Sequence, residues 1–440
     1  MSTTGTPNAA PGTTAKGANR VLTLSTIAFT LMFAVWLMFG ILGKPIQAEF
    51  GLSNVQLSWI SAVAVLNGSL WRLPAGILAD RFGGKKVMVT LLLAGAVFSY
   101  LVSLAASYEM LLVLAFLVGF VGNSFSSGIA WNSAWFPDRR KGFALGVFGA
   151  GNVGASVTKF IGPPVIAATA GTTVIFGLQG GWRLIPSFYA VLLLVCAALV
   201  WWLAPKHDRM PGKAQPLGAM LRPLSDIRVW RFSLYYVIAF GAYVAYAAIL
   251  PGYYIDTFSL DLTTAGLLTA TFIFPASLLR PVGGWFSDVW GARVAMYATF
   301  FTMIVALAVL STPSGRGASG PYGLPLWLVV TLIFVVGCAM GVCKAAVYKH
   351  IPTYFPDNVG SVGGLVGMLG GLGGFFLPPM FAYLTLVTGV SSTPFIVLMV
   401  LTIMALVWMH VVITHMDEKL PDQPDLLEMP PEHREHPAGS

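Results

Sequence analysis

Charge is what this sequence has least of. Only 10% of its 440 residues are Asp, Glu, Lys or Arg, against roughly 25% in a soluble domain. Such a surface could not stay in water, which excludes a soluble enzyme, a collagen and a disordered chain. Cysteine is nearly absent too. Cys196, Cys338 and Cys343 sit in apolar runs, too few for a disulfide framework and without metal-site spacing. With no histidine cluster either, no metal or other cofactor is expected. Residues 1–19 lack the apolar stretch and cleavage site of a signal peptide, so none is expected.

What is present is apolar: 56% of residues are hydrophobic and mean hydropathy is +0.78. With about 20 residues per bilayer crossing, about twelve spans would use most of the chain. The apolar runs place them near 21–43, 55–79, 87–106, 110–136, 143–168, 182–204, 231–255, 263–287, 294–312, 325–350, 360–388 and 393–415. The expected fold class is all-α, a polytopic membrane protein with two pseudo-symmetric six-helix bundles. The expected organisation is an N-terminal cytoplasmic segment (1–20), a first bundle (21–204), a cytoplasmic linker (205–230), a second bundle (231–415) and a disordered, Pro- and Glu-rich cytoplasmic tail (416–440).

The net charge of +8 hints at nucleic acid until its distribution is read. With the N-terminus inside, 17 of the 25 basic residues fall on the cytoplasmic side, and only Lys44, Arg183 and Arg316 outside. That asymmetry orients a multi-pass protein in the cytoplasmic (inner) membrane with both termini cytoplasmic, and no nucleic-acid partner is expected. The other five, Arg72, Lys159, Arg280, Lys344 and Lys349, lie inside predicted spans. All 17 acids fall in loops, at span ends or in the tail.

The halves repeat. Arg72-Leu-Pro-Ala-Gly-Ile-Leu-Ala-Asp80-Arg-Phe-Gly83 parallels Arg280-Pro-Val-Gly-Gly-Trp-Phe-Ser-Asp288-Val-Trp-Gly291, with Arg, Asp and Gly at equal spacing. Phe136-Pro137-Asp138 and Phe355-Pro356-Asp357 each precede a Gly-rich helix ending in Pro-Pro. Such repeats place a transport site between halves. Arg72, eight residues from the cytoplasmic end of its span, lies ~12 Å into a core of ~30 Å, and Arg280 lies equally deep. Buried guanidinium is costly and usually faces a cavity. Two of them without a midplane carboxylate call for an anion, and the planar fork favours a planar oxyanion.

Lys159 and Lys344 are the deeper lysines and candidate proton carriers, against the alternative of hydrogen-bonded structural amines; Lys349 is expected to snorkel. Gly149, Gly151 and Gly154 satisfy G-x-G-x-x-G, but no strand precedes them and a dinucleotide site is rejected. Gly367, Gly370, Gly371 and Gly374 make small-xxx-small pairs in a second glycine-rich helix. Both helices are read either as tight packing or as smooth faces on which helices slide. Phe33, Phe125, Tyr236 and Tyr348 could sandwich a planar ion, and Asn152 is the one amide in its helix.

Gly76-Ile-Leu-Ala-Asp80-Arg81-Phe82-Gly83-Gly84-Lys85-Lys86 resembles the loop 2–3 motif of the major facilitator superfamily. Gly149-Ala-Gly151-Asn152-Val-Gly154-Ala-Ser156 and Gly367-Met-Leu-Gly370-Gly371-Leu-Gly373-Gly374 resemble the two signatures of its nitrate/nitrite porter family. The resemblance implies nitrate or nitrite held between Arg72 and Arg280. It also implies Tyr236 as a hydrogen-bonding tyrosine, Asn152 as the signature asparagine, Phe33 and Phe125 as aromatic walls, and Tyr348 where other members carry phenylalanine. Asp80, Arg81, Gly83 and Lys85 are the implied conformational latch. Lys159 and Lys344 stand where exchanger-like members are neutral. The expectation is therefore a secondary transporter, not an enzyme, that moves nitrate by alternating access in symport with protons. It would work in the lipid bilayer and is expected to function as a monomer. The alternatives are nitrate/nitrite antiport and, more remotely, a non-transporting nitrate sensor.

Overall fold

The computed structural model describes residues 17–173, 179–210, 217–314, 323–355 and 359–419. Most of the N-terminal segment, Pro356, Asp357 and the tail beyond residue 419 lie outside the described residues. So does part of the 205–230 linker.

Helix dominates because the apolar runs leave backbone groups nowhere else to bond in hydrocarbon. Among the described residues, nine helices are long and apolar enough to cross a membrane, and two bent pairs bring the number to 11. The place of the predicted fifth span is taken by Asp138–Gly149, a 3-10 turn Ala150–Val153 and Gly154–Thr169. The twelve predicted segments are thus all helical. Many boundaries differ by a few residues from expectation, and two of the shifts have a local reason. The first span runs on to Phe50, because the chain breaks at Leu37–Met38 rather than at Pro45, and Gly51 (φ 63°) ends it. The seventh begins at Ile227, inside the predicted linker, because the Asp226 side chain accepts from the Arg228 N–H and caps it.

Irregular backbone gathers at mid-depth. The second span is Asn54–Leu70 and Arg72–Phe82, bent by 41°; the eighth is Leu262–Leu278 and Arg280–Trp290, bent by 43°. Arg72 and Arg280 are each the first residue after the bend, so the repeat seen in sequence is also a repeat of helix breaks. Gly119–Asn123 in the fourth span and Ala150–Val153 in the fifth are 3-10, and Val237–Gly241 in the seventh is a π turn. Both copies of the motif end on a glycine of positive φ, Gly83 at 92° and Gly291 at 91°. A side chain there would be strained, so glycine is needed at that point of each repeat.

At the linker end, Asp208 gathers the loop between spans two and three. Its carboxylate accepts from the indoles of Trp131 (2.9 Å) and Trp135 (3.0 Å) and from the Lys85 backbone N–H (2.8 Å). At the far end, Glu49 accepts from Trp182 at 2.6 Å and pairs with Arg183.

Candidate functional site

The bend puts each arginine at the start of a half-helix, where its side chain turns toward the other half. Arg72 donates through Nε to Gly68 at 3.1 Å, within its own span. Through Nη1 it donates to the carbonyl of Gly367, in the eleventh span, at 2.9 Å. Arg280, in the eighth span, lies against Gly149 of the fifth: a Cβ built there would be 3.1 Å from its Nη1. Each arginine therefore rests on the glycine-rich helix of the opposite half.

Phe125 brings the two together. The Arg72 Cζ is 5.5 Å from the centre of that ring, and the Arg280 Cζ is 5.4 Å from it. Neither pairs with a carboxylate among the described residues. Arg72 is buried and Arg280 half-buried. The other walls are aromatic. Phe240 lies 4.9 Å and Trp36 5.5 Å from the Arg72 Cζ, and Tyr348 5.6 Å from that of Arg280. Tyr236 stacks on Phe240 at 5.2 Å and meets Tyr348 edge-on at 5.0 Å. The Tyr348 hydroxyl is held by the Gly363 carbonyl at 3.1 Å.

Several polar atoms here are buried without a hydrogen-bond partner in the protein: Arg72 Nη2, Arg280 Nη1, Tyr236 Oη, Ser69 Oγ and both side-chain atoms of Asn152. Leaving each one unmade costs roughly 1–3 kcal/mol. A small polar guest that accepts hydrogen bonds from the arginines and Tyr236 recovers that cost.

The structure therefore brings Arg72, Arg280, Phe125, Tyr236 and Tyr348 into one cluster. Asn152 is linked through its backbone: its main-chain carbonyl accepts from Tyr243 at 3.2 Å, and the Tyr243 ring lies 6.2 Å from that of Phe240 in the cluster. Phe33 sits one layer back, against Trp36 (5.4 Å) and Phe29 (5.5 Å). The lysines separate. Lys344 is buried beside the cluster, its Nζ 3.3 Å from the Tyr243 ring centre and 3.0 Å from the Ala276 carbonyl it donates to. Lys159 donates at 3.0 Å to Leu37, at the break in the first span. Lys349 pairs with Asp288 at the linker end rather than only snorkelling. In the expected latch, Gly83 and Lys85 pack against Asp208, while Asp80 and Arg81 make no ion pair among the described residues.

The glycines divide by neighbour. A Cβ on Gly154 would lie 1.9 Å from the Thr30 carbonyl, a tight helix crossing. One on Gly151 would meet Phe29 at 2.6 Å, and one on Gly374 would meet Val244 at 2.8 Å. Gly367, Gly370 and Gly371 instead make room for the site: their Cβ atoms would meet Tyr348 Oη (2.7 Å), Tyr236 (2.4 Å) and Ser69 Oγ (2.7 Å). Trp36, Phe240 and Tyr243 were missed from sequence. A helical signal existed, since Trp36 lies three residues after Phe33, and Phe240 and Tyr243 lie four and seven after Tyr236.

Comparison with known proteins follows the same line. The Major Facilitator Superfamily pattern matches residues 24–251 and again 232–434. The chain is 60% identical over 404 residues to the probable nitrate/nitrite antiporter NarK1 of Thermus thermophilus, covering 90% of this chain and 91% of that one. The chain belongs to the nitrate/nitrite porter family of the major facilitator superfamily. It is also 32% identical to the probable nitrate transporter NarT of Staphylococcus epidermidis, over 90% of this chain and 96% of that one. Among solved structures, a point mutant of the nucleoside transporter NupG superposes with a TM-score of 0.65 at 13% identity, covering 89% of this chain and 99% of that one. That likeness carries the fold alone. Membership makes the protein a multi-pass membrane protein of a transporter family.

Proposed function

We propose that this porter carries nitrate, and nitrite with it, across the cytoplasmic membrane by alternating access, as a monomer with both termini in the cytoplasm. One observation carries the reading: Arg72 and Arg280 reach from opposite halves to one Phe125 ring. Two guanidinium groups so placed repel each other until an anion lies between them. A planar oxyanion accepts from both forks at once, and the aromatic walls cover its faces. Loading thus favours closure of the halves and an empty site opposes it, which couples movement to cargo. No bond is made or broken, so the protein is a carrier and not an enzyme. The names of the Thermus and Staphylococcus relatives support nitrate as the anion. The basic residues of the segment between the sixth span and Ile227, where the seventh begins, support the orientation.

For coupling we favour proton symport, with Lys344 beside the site as the group that changes charge. One proton per nitrate makes uptake electroneutral, and a second lets the negative-inside potential drive it, since each charge is worth ~2.3 kcal/mol per 100 mV. Nitrate/nitrite antiport is the second reading, favoured by the name of the Thermus relative. Purified protein in liposomes tests both. Nitrate uptake driven by an inward proton gradient into nitrite-free vesicles is the expected result. Uptake that requires internal nitrite and ignores the gradient overturns symport and leaves exchange. No nitrate flux under either condition overturns the transport reading.

A further inference from the structure

The first and seventh spans are zipped together at the far end, in steps of one helical turn. Gly40 comes so close to the opposite helix that a Cβ would lie 2.6 Å from the Ala247 carbonyl oxygen and 2.9 Å from the Ala248 Cα. One turn on, the Lys44 stem crosses Gly252, whose Cβ would be 3.3 Å from Lys44 Cε. The stem ends on Asp256, where Lys44 Nζ donates to both carboxylate oxygens, at 2.6 and 2.7 Å. This is an ion pair between the halves. It lines a cavity of about 560 Å³ wedged between them, together with Asn54, Ser61 and Tyr383.

Arg183, the other basic residue predicted for this side that the structure describes, does not line that cavity. Arg183 is tied to Glu49 and to the carbonyls of Ser103 and Ala105, all within the first half. Arg316 lies outside the described residues. Among the described residues, Lys44 is the cation that lines the cavity, and its pair is partly open to solvent: the Lys44 side chain is 19% exposed and that of Asp256 47%. An exposed pair of this kind exchanges partners readily.

We propose that Lys44 is an anion-binding site at the mouth of the pathway, masked by Asp256. A small oxyanion arriving from the far side takes the place of the Asp256 carboxylate on Lys44 Nζ. That exchange of partners removes the last tie of the zipper, and the anion then passes inward to the arginines. The proposal rests on the nitrate-carrier reading, and it adds a first stop and an unlocking step to it.

The test uses full-length protein in liposomes of known orientation, with nitrate as the probe on the far side. Lys44→Gln is expected to raise the half-saturating nitrate concentration about two- to fivefold with little change in maximal rate. Asp256→Asn is expected to lower it, because Lys44 is then unmasked. A cysteine at Ser61, in the same cavity, reports the seam. An impermeant thiol reagent is expected to label it faster in Asp256→Asn. The exchanged pair Lys44→Asp with Asp256→Lys is expected to return labelling to the parent rate. If parent vesicles take up nitrate while neither single substitution moves half-saturation or labelling, the Lys44 site is wrong and the carrier reading stands. Parent vesicles that take up no nitrate overturn the carrier reading, and the Lys44 site with it.

Discussion

Arg72 donates from Nη1 to the carbonyl oxygen of Gly367 at 2.9 Å, across the seam between the two halves. The bond requires that the eleventh span present a bare backbone to the second, which the glycine signature supplies. On the other side of the pseudo-symmetry, Arg280 rests on Gly149. Arginine and glycine helix are thus paired crosswise, and a movement of one half against the other shifts both arginines relative to their beds.

The first prediction concerns the forks themselves. Lysine at either position keeps the charge but loses the planar pair of donors. Arg72→Lys also leaves the Gly367 carbonyl and the cargo to share one nitrogen in place of the separate Nη1 and Nη2 of arginine. Each lost charge-assisted bond costs about 1.5–3 kcal/mol, or roughly ten- to a hundredfold in affinity. Nitrate binding to purified Arg72→Lys and Arg280→Lys, measured by calorimetry, should fall by at least that factor. Near-parent affinity in both would remove the arginines from the site.

The glycines offer a graded series. Gly154→Ala drives a methyl to 1.9 Å from the Thr30 carbonyl, where backbone must move, so it should impair folding and yield. Gly371→Ala meets Ser69 Oγ at 2.7 Å and Arg72 Nη1 at 3.2 Å, so it should fold and lose affinity by displacing the guanidinium. Gly360→Ala meets nothing within 4 Å and should be neutral. Chromatographic yield and nitrate affinity, measured on all three, separate packing from site geometry.

Much of this arrangement was legible in the sequence, and the physical reason is the bilayer. Charge is so expensive there that Arg72 and Arg280 stood out by depth alone, and the absence of a midplane acid pointed to an anion. The spans were legible because hydrocarbon enforces long apolar helices. The helix breaks also had a signal, left unread: Pro74 and Pro281 follow them closely, and a proline has no N–H for the carbonyl four residues back, at Leu70 and Ser277. Lys159 and Lys344 looked alike in sequence, being equally buried in apolar surroundings. They differ only in neighbours: a carbonyl at a helix break for one, an aromatic face at the site for the other. Phe240 and Tyr243 were hidden by their company, since the seventh span is rich in aromatic residues throughout.

That difference between the lysines is the third prediction. Lys344 Nζ lies 5.6 Å from the centre of the Phe240 ring that also faces Arg72, so a change in its charge is felt at the cargo site. If its protonated form is the loaded one, uptake is full at low pH and is lost as pH rises. Lys344→Gln has no such proton to lose and should flatten the profile of uptake against pH. Lys159→Met should keep the parent profile but lower stability by about 1–3 kcal/mol, because the Leu37 carbonyl loses its donor. A parent-like profile in Lys344→Gln would take lysine out of the coupling.

The last prediction lies at the linker end. Asp208 accepts from Trp131, Trp135 and the Lys85 backbone, so one carboxylate fixes the loop of the superfamily motif to the start of the linker. The two indoles are nearly buried, at 1% and 5% exposure, and water cannot readily replace the acceptor they share. Asp208→Ala should therefore cost about 1–3 kcal/mol for each indole left unpaired, and tryptophan emission should shift as the loop loosens. Asp208→Asn retains one carbonyl oxygen for the indoles and should lose less. Thermal unfolding followed by tryptophan fluorescence orders the three proteins as parent, Asn, Ala. An Ala variant as stable as the parent would mean that the loop is held by the Gly83 turn and the Lys85 side chain without Asp208.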